Sequence, residues 1–205
     1  MPKRLFIYIF LGLTVFSTSA SAHLFLFVGP SGVGKSTLVR MAIESNTEYR
    51  KVASYTSRQP RKGEQDGRDY VFISKEKFLD LLSKKAFFEW SFHLDNFYGL
   101  TKNSVHESAS KDAVYLKEIS PEGATTVKQA LKENCTIIYI TAPNDKILRE
   151  RLEQRGSEDT DSLKLRLDEN AKMLKSPPQF DVAVTNDSLA ETKKLIDKII
   201  LQRNK

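Results

Sequence analysis

The chain of 205 residues has one cysteine, Cys135, so no internal disulfide framework can staple it. Its three histidines, His23, His93 and His106, are scattered, and no Cys/His cluster has zinc spacing. A zinc module and a multi-histidine metal site are thereby excluded. The apolar run Leu5–Phe16 stops at 12 residues, short of the roughly 20 that a membrane-spanning helix needs. Repeats and low-complexity tracts are missing. Charge of one sign is not in great excess either: 32 basic residues face 26 acidic ones, and the net +6 is spread along the chain. That balance suits a protein that handles phosphate and argues against a dedicated duplex nucleic-acid binder, so no nucleic-acid partner is expected. Apolar surface is plentiful. With 40% hydrophobic residues, 12 Phe and 7 Tyr, the chain can bury a core, and general disorder is ruled out.

The N-terminus differs from the rest. Lys3 and Arg4 precede the apolar run, and Ser17-Thr18-Ser19-Ala20-Ser21-Ala22 follows it, ending in an A-x-A pattern. A basic start, an apolar centre and a small-residue end have the grammar of a secretory signal. Residues 1–22 are therefore set apart as a signal-peptide-like leader, and one domain is expected over 23–205.

A phosphate cradle follows at once. His23 to Val28 is a continuous apolar run of the kind that forms a strand buried on both faces. It leads into Gly29-Pro30-Ser31-Gly32-Val33-Gly34-Lys35-Ser36-Thr37 and then a helical run from Leu38. This is G-x-x-x-x-G-K-[ST] between a strand and a helix, the context that motif requires. Glycines at 29, 32 and 34 let backbone N–H groups converge on one anion, and the helix adds its positive end. Lys35 is expected on the β- and γ-phosphates, and Ser36 as a ligand of Mg²⁺. ATP and Mg²⁺ are the expected cofactors.

The remaining pattern is α/β. Strands are expected at Lys51–Thr56, Asp69–Ile73, Ala86–Phe92, Ala113–Leu116, Cys135–Thr141 and Asp181–Thr185. Helices are expected from Ser74 through Lys84, over Pro121–Lys132, over Asn144–Arg155, from Thr160 to Lys175, and after Ser188. The reading is a P-loop doubly wound parallel sheet flanked by helices, with a small β-rich acceptor-binding lobe inserted at about 54–103 and a lid at about 151–166.

Two basic clusters bear on chemistry. Pro60 stiffens a loop carrying Arg58 and Arg61, whose guanidinium forks suit a phosphate monoester, and Tyr70 and Tyr98 offer hydroxyls to the same anion. Arg151 and Arg155 lie four residues apart on one helix, with Arg166 downstream.

GPSGVGKST, the stretch Ser54–Phe72, FFEW (Phe87–Trp90), NFYG (Asn96–Gly99), RLEQRG (Arg151–Gly156) and VTNDSL (Val184–Leu189) fall in the order seen in guanylate kinases, and over roughly residues 24 to 200 the chain resembles that family. The resemblance implies a clamp for the acceptor monophosphate made of Arg58, Arg61, Tyr70 and Tyr98. It implies that Glu89 reads guanine N1 and N2 with Ser54 beside it, and that Glu64 belongs to the acceptor site. It implies that Arg151, Arg155 and Arg166 close over the triphosphate, and that Asn186 lies near the adenine. Two positions depart from the pattern. The family's Asp-x-Asp-x-Gln-Gly corresponds to a stretch, Leu116–Gly123, that reads as one residue longer and lacks aspartate, with Glu118 as the candidate to replace one carboxylate and Lys117 set to oppose a metal ion if it turns inward. Leu100 stands where the family has Ser or Thr, followed by Thr101.

The leading expectation is in-line phosphoryl transfer from ATP to GMP or dGMP by a monomer or homodimer. The alternatives are a kinase with another acceptor, such as a phosphorylated ribose, and a protein-binding module without catalysis. Because ATP is a cytosolic resource, the kinase domain is expected in the cytoplasm, with the leader a mis-assigned start, a vestige or an anchor. A working leader would mean export, and an uncleaved one a membrane attachment.

Overall fold

The computed structural model describes residues 23–61, 63–93, 95–109, 113–155 and 160–203. The leader expected at 1–22 lies outside these.

Strand β1 (His23–Val28) is buried at all six positions and leads through the glycine-rich turn into helix α1 (Lys35–Ser45). Beside β1 lie β7 (Val114–Glu118) on one side and β8 (Cys135–Thr141) on the other. The edges are β2 (Tyr49–Lys51) and β9 (Val182–Thr185), giving the order β2-β7-β1-β8-β9 with every pair parallel. Strands of a parallel sheet are covered on both faces, which is why β1 and β8 read as apolar runs rather than alternating ones. Phe25 and Phe27 pack with Leu38 and Val39 of α1 and with Ile196 and Ile200 of α7 (Leu189–Arg203). Leu24, Leu26 and Val28 point the other way, to Val105 of α3 (Lys102–Ala109) and to Ala124 and Val127 of α4 (Pro121–Leu131). Helices α5 (Asp145–Arg155) and α6 (Thr160–Lys175) complete the layer between β8 and β9.

A second, four-stranded sheet has the order β4-β3-β6-β5, built from β3 (Ser54–Thr56), β4 (Tyr70–Phe72), β5 (Phe87–His93) and β6 (Asn96–Thr101). Helix α2 (Lys75–Ser83) backs it; Ser74 Oγ caps the helix by accepting from Lys77 N. Its buried Phe78 stacks on Phe87 at 4.2 Å and on Phe97 at 5.1 Å. This is the β-rich insert expected from the sequence. One expected element is corrected: Lys51–Thr56 is two strands rather than one. Lys51 ends β2 in the main sheet, where it pairs with Leu116, and Ser54 begins β3, where it pairs with Tyr70. The buried Val52, whose N–H donates to Leu116 O, carries the chain between the sheets.

Candidate active site

The C-terminal ends of parallel strands face the crevice in which open α/β sheets bind ligands. Here the turn after β1 forms the cradle. Gly29, Gly32 and Gly34 take φ of 152°, 82° and 96°, conformations that suit residues without a Cβ. At Gly29 space forbids one as well, because a Cβ would lie 2.1 Å from Ile140 O of β8. The Lys35 ammonium is curled over the loop, donating to Gly29 O at 2.7 Å and Pro30 O at 2.9 Å.

The cradle is held from three directions. Ser31 N donates to Asn170 Oδ1 at 2.7 Å, and Asn170 Nδ2 donates to Ser31 O at 3.0 Å, so one buried α6 amide clamps both sides of a cradle residue. Arg166 Nη1 donates to Ser31 Oγ at 3.1 Å. Asn186 is fully buried under the loop, its Nδ2 donating to Val33 O at 2.8 Å, while its own carbonyl accepts from Arg151 Nη2 at 3.3 Å. Asn186 and Arg151 therefore brace the cradle from the β9 side. The Arg155 side chain lies outside the described residues, as does the centre of the expected lid at 156–159.

A cleft of about 930 Å³ runs from the cradle to the second sheet. It brings together Ser31, Lys35 and Arg166 with Ser54, Arg58, Arg61, Tyr70, Glu89 and Tyr98. Glu64 is not on its wall. Its Oε1 takes Arg58 Nη2 at 3.0 Å and its Oε2 takes Arg61 N at 2.7 Å, so it sets the arginine loop from behind. Burial opposes its charge, yet the bonds from Arg58 and the Arg61 backbone hold the Glu64 carboxyl below its usual range. The Arg58 guanidinium lies 5.5 Å from the Tyr70 ring centre. Burial, with Glu118 second, pushes the Tyr70 phenol far above its ordinary value, so it stays a hydrogen-bond donor.

Glu89 sits at a bulge of β5, where the register against β6 shifts between Phe87 and Glu89. Its carboxylate packs on Gly123 at the start of α4, where a Cβ would come within 2.9 Å of Oε2. Only a glycine lets helix and carboxylate approach so closely. Burial raises the Glu89 pKa, opposed by the charge of Lys117. Leu100 pairs with Glu89 across the bulge and is fully buried in the apolar layer over Val28, Val52 and Ala124.

The stretch after β7 corrects two expectations. Ser36 Oγ donates to Glu118 Oε2 at 2.5 Å, which places Glu118 on the metal side of the cradle. Counted from there, Glu118-Ile119-Ser120-Pro121-Glu122-Gly123 has the six-residue spacing of Asp-x-Asp-x-Gln-Gly, so there is no extra residue. Glu118 replaces the first aspartate. Ser120 replaces the second and caps α4, its Oγ accepting from Gly123 N at 3.0 Å. The charge of Lys117, in turn, is not on Glu118's face. Adjacent strand residues face opposite ways, and Lys117 shares the side of its β1 neighbour Leu26, ending in the cleft wall with Nζ 6.0 Å from the Tyr70 centre. Burial lowers its pKa to about 8, with Glu118 the largest opposing influence.

Glu118 and Lys117 stood out in the sequence as departures from the family pattern, whereas Asn170 was absent from the residues singled out and no local signal marks its contact.

A mononucleotide-kinase cleft results, with a P-loop at one end and a two-arginine, two-tyrosine loop at the other. The guanylate kinase family profile matches residues 21–203, and the chain belongs to that family. It is 36% identical over 177 residues to the guanylate kinase of Prochlorococcus marinus subsp. pastoris, covering 86% of this chain and 96% of that one. The Synechocystis guanylate kinase is 34% identical over 183 residues, covering 89% and 95%. The crystal structure of guanylate kinase from Anaplasma phagocytophilum superposes with a TM-score of 0.72 at 25% identity, covering 91% of this chain and 88% of that one.

Proposed function

We propose that the chain transfers the γ-phosphoryl group of ATP to GMP or dGMP, giving GDP or dGDP. The observation that carries this reading is the single cleft that unites an intact phosphate cradle with the Arg58–Arg61 loop and a half-buried carboxylate, Glu89. A sugar phosphate would have no use for that carboxylate, and a module that only docks proteins would have no use for the cradle.

The cradle N–H groups and the α1 N-terminus hold the β-phosphate, and Lys35 leaves its parking contacts to follow the γ-phosphoryl group. Arg58, Arg61, Tyr70 and Tyr98 seat the acceptor phosphate in line, with Glu64 fixing the loop that bears the arginines. Glu89 accepts from guanine N1–H and N2–H, with Ser54 beside it. Arg166 and Arg151, with Arg155, bring positive charge over the transferring group, whose negative charge spreads in the transition state. No nucleophile on the protein is needed; positioning and neutralisation suffice.

Ser36 and Glu118 fit a magnesium ion. Their side chains meet, and Glu118 Oε1 is buried without a hydrogen-bond partner, 3.6 Å from Lys51 Nζ. No group of three or more His, Cys, Asp or Glu that could hold a metal occurs among the described residues, so nucleotide oxygens and water would complete the coordination. When bound, the ion supplies charge neutralisation on the β- and γ-oxygens.

The site of action follows from the substrate. ATP is plentiful only inside the cell, so the kinase domain works in the cytoplasm, with a leader that does not export it; N-terminal sequencing of the native protein together with cell fractionation tests this, and a mature chain beginning at His23 outside the cytoplasm would overturn it. Among the described residues no helix is long and apolar enough to cross a membrane.

A coupled ADP-release assay of the full chain with GMP, dGMP, AMP and ribose 5-phosphate tests the reaction. Turnover of GMP and dGMP far above the other two is expected. Equal rates with AMP, or none with any acceptor, would sink the assignment.

A further inference from the structure

The acceptor end of the cleft carries a cation that the reaction just described leaves unused. Lys117 is 3% exposed, yet it lines the cleft together with Glu89, its ammonium 6.0 Å from the Tyr70 ring centre. It has no hydrogen-bond or ion-pair partner among the described residues. Its ammonium opens to the cleft with N–H donors that no described protein group accepts, ready for an acceptor atom on a bound ligand. Around it, the groups that could touch a purine have changed character. Leu100, directly across from Glu89, offers no donor, and Ser120, which caps α4, brings no second carboxylate. Besides hydroxyls such as that of Ser54, the base end therefore presents one carboxylate, Glu89, and one ammonium, Lys117.

We propose that Lys117 is a specificity-determining residue that donates a hydrogen bond to the 6-oxo oxygen of the acceptor base, next to the N1–H taken by Glu89. This rests on the reading that the acceptor is a guanine nucleotide. Guanine shows an acceptor at position 6, whereas adenine shows an amino donor there. An ammonium facing that amino group meets a donor with a donor, leaves its own charge buried and unmatched, and so rejects adenine. A site built to hydrogen-bond a group discriminates strongly against a base that lacks it. The discriminating contact is thus moved from the position of Leu100 on β6 of the second sheet to β7 of the main sheet.

Lys117→Met keeps the length and apolar stem while removing the donors. The measurement is kcat and KM with GMP, 6-thio-GMP, in which a poor sulfur acceptor replaces the 6-oxo oxygen, and AMP. For the unaltered chain GMP is expected to exceed 6-thio-GMP by at least about 10-fold in kcat/KM. In Lys117→Met the GMP value falls by about 10- to 100-fold through KM, the gap to 6-thio-GMP closes, and AMP is unchanged or improved. Lys117→Arg, which keeps charge and donors, retains a preference for GMP over AMP. The Arg variant also serves if the Met variant fails to fold, and a loss of that preference in a folded Lys117→Arg enzyme counts against the proposal. Equal losses on all three acceptors would show that Lys117 serves the phosphate instead and would overturn it, as would unchanged GMP kinetics. An unaltered chain inactive on GMP would be a different result, the failure of the parent reading.

Discussion

At the scale of single residues, Lys35 shows how a short loop holds its own cation ready for chemistry. Its ammonium already lies at the mouth of the cradle, satisfied by two backbone carbonyls of the loop it will serve. Those contacts are local, so they can be exchanged for phosphate oxygens without disturbing the sheet. Lys35→Ala should leave the melting temperature within a few degrees of the parent and reduce kcat by roughly 100-fold or more, because a charge aimed at the transferring group is lost. Wild-type turnover in that variant would remove the cradle lysine from the mechanism. Glu64 teaches a different lesson. An acidic residue among arginines reads as part of an acceptor site, yet it stands behind the wall and orients the arginines that form it. A role of that kind depends on which way a loop turns, and composition carries no information about that.

At the scale of elements, α6 is tied to the cradle across 139 residues of chain by the Asn170–Ser31 pair. Both the N–H and the C=O of Ser31 are thus held by one helical side chain. Asn170→Ala should loosen the cradle before it has met a phosphate. The expected result is a KM for ATP raised about 10-fold, a GMP KM little changed, and a loss of about 1–3 kcal/mol in denaturant stability for two unmade hydrogen bonds. Equilibrium titration of ATP and a urea melt measure the two effects, and unaltered ATP affinity would refute the clamp. The elements themselves were largely legible. Apolar runs marked β1 and β8, Pro121 after Ser120 marked the start of α4, and the glycine pattern marked the cradle. What escaped was set by distant partners. Nothing in Lys51–Thr56 says that its two halves join different sheets, and helix α3 at Lys102–Ala109, which buries Val105, went unexpected in a polar stretch. Asn170, one of many polar residues on α6, gave no sign of its contact. In the candidate site, the motif-borne residues could be read in advance, whereas the direction Lys117 takes needed the strand's facing, and the alignment of Glu118 needed its contact with Ser36.

For the whole molecule, the central strand begins with a titratable group in the core. His23 is 8% exposed, with Nε2 2.8 Å from Thr136 Oγ1 of β8 and its ring 4.6 Å from Phe25. Burial, reinforced by the nearby charge of Lys128, lowers its pKa from 6.5 to about 4, so the folded protein keeps the ring neutral. The unfolded chain, by contrast, takes up a proton below about 6.5. Between those two values the unfolded state binds more protons, so stability falls as the pH falls. Above about pH 7 both states are neutral at this site and it contributes no slope. The slope in the window approaches 1.4 kcal/mol per pH unit, and about 3 kcal/mol is lost in all by the time the folded ring itself titrates. Carboxylates such as Glu64 also lose their stabilising charge in acid, so the parent curve alone would not isolate the histidine. The difference between the parent and His23→Gln does. An amide can still meet the Thr136 hydroxyl and does not titrate, so the parent's stability relative to the variant should be flat above pH 7 and decline steadily from 6.5 to 4. Urea melts at half-unit steps of pH measure this. A difference that is constant through the window would mean that His23 is protonated alike in both states, and that the centre of the sheet opens to water more readily than its packing allows.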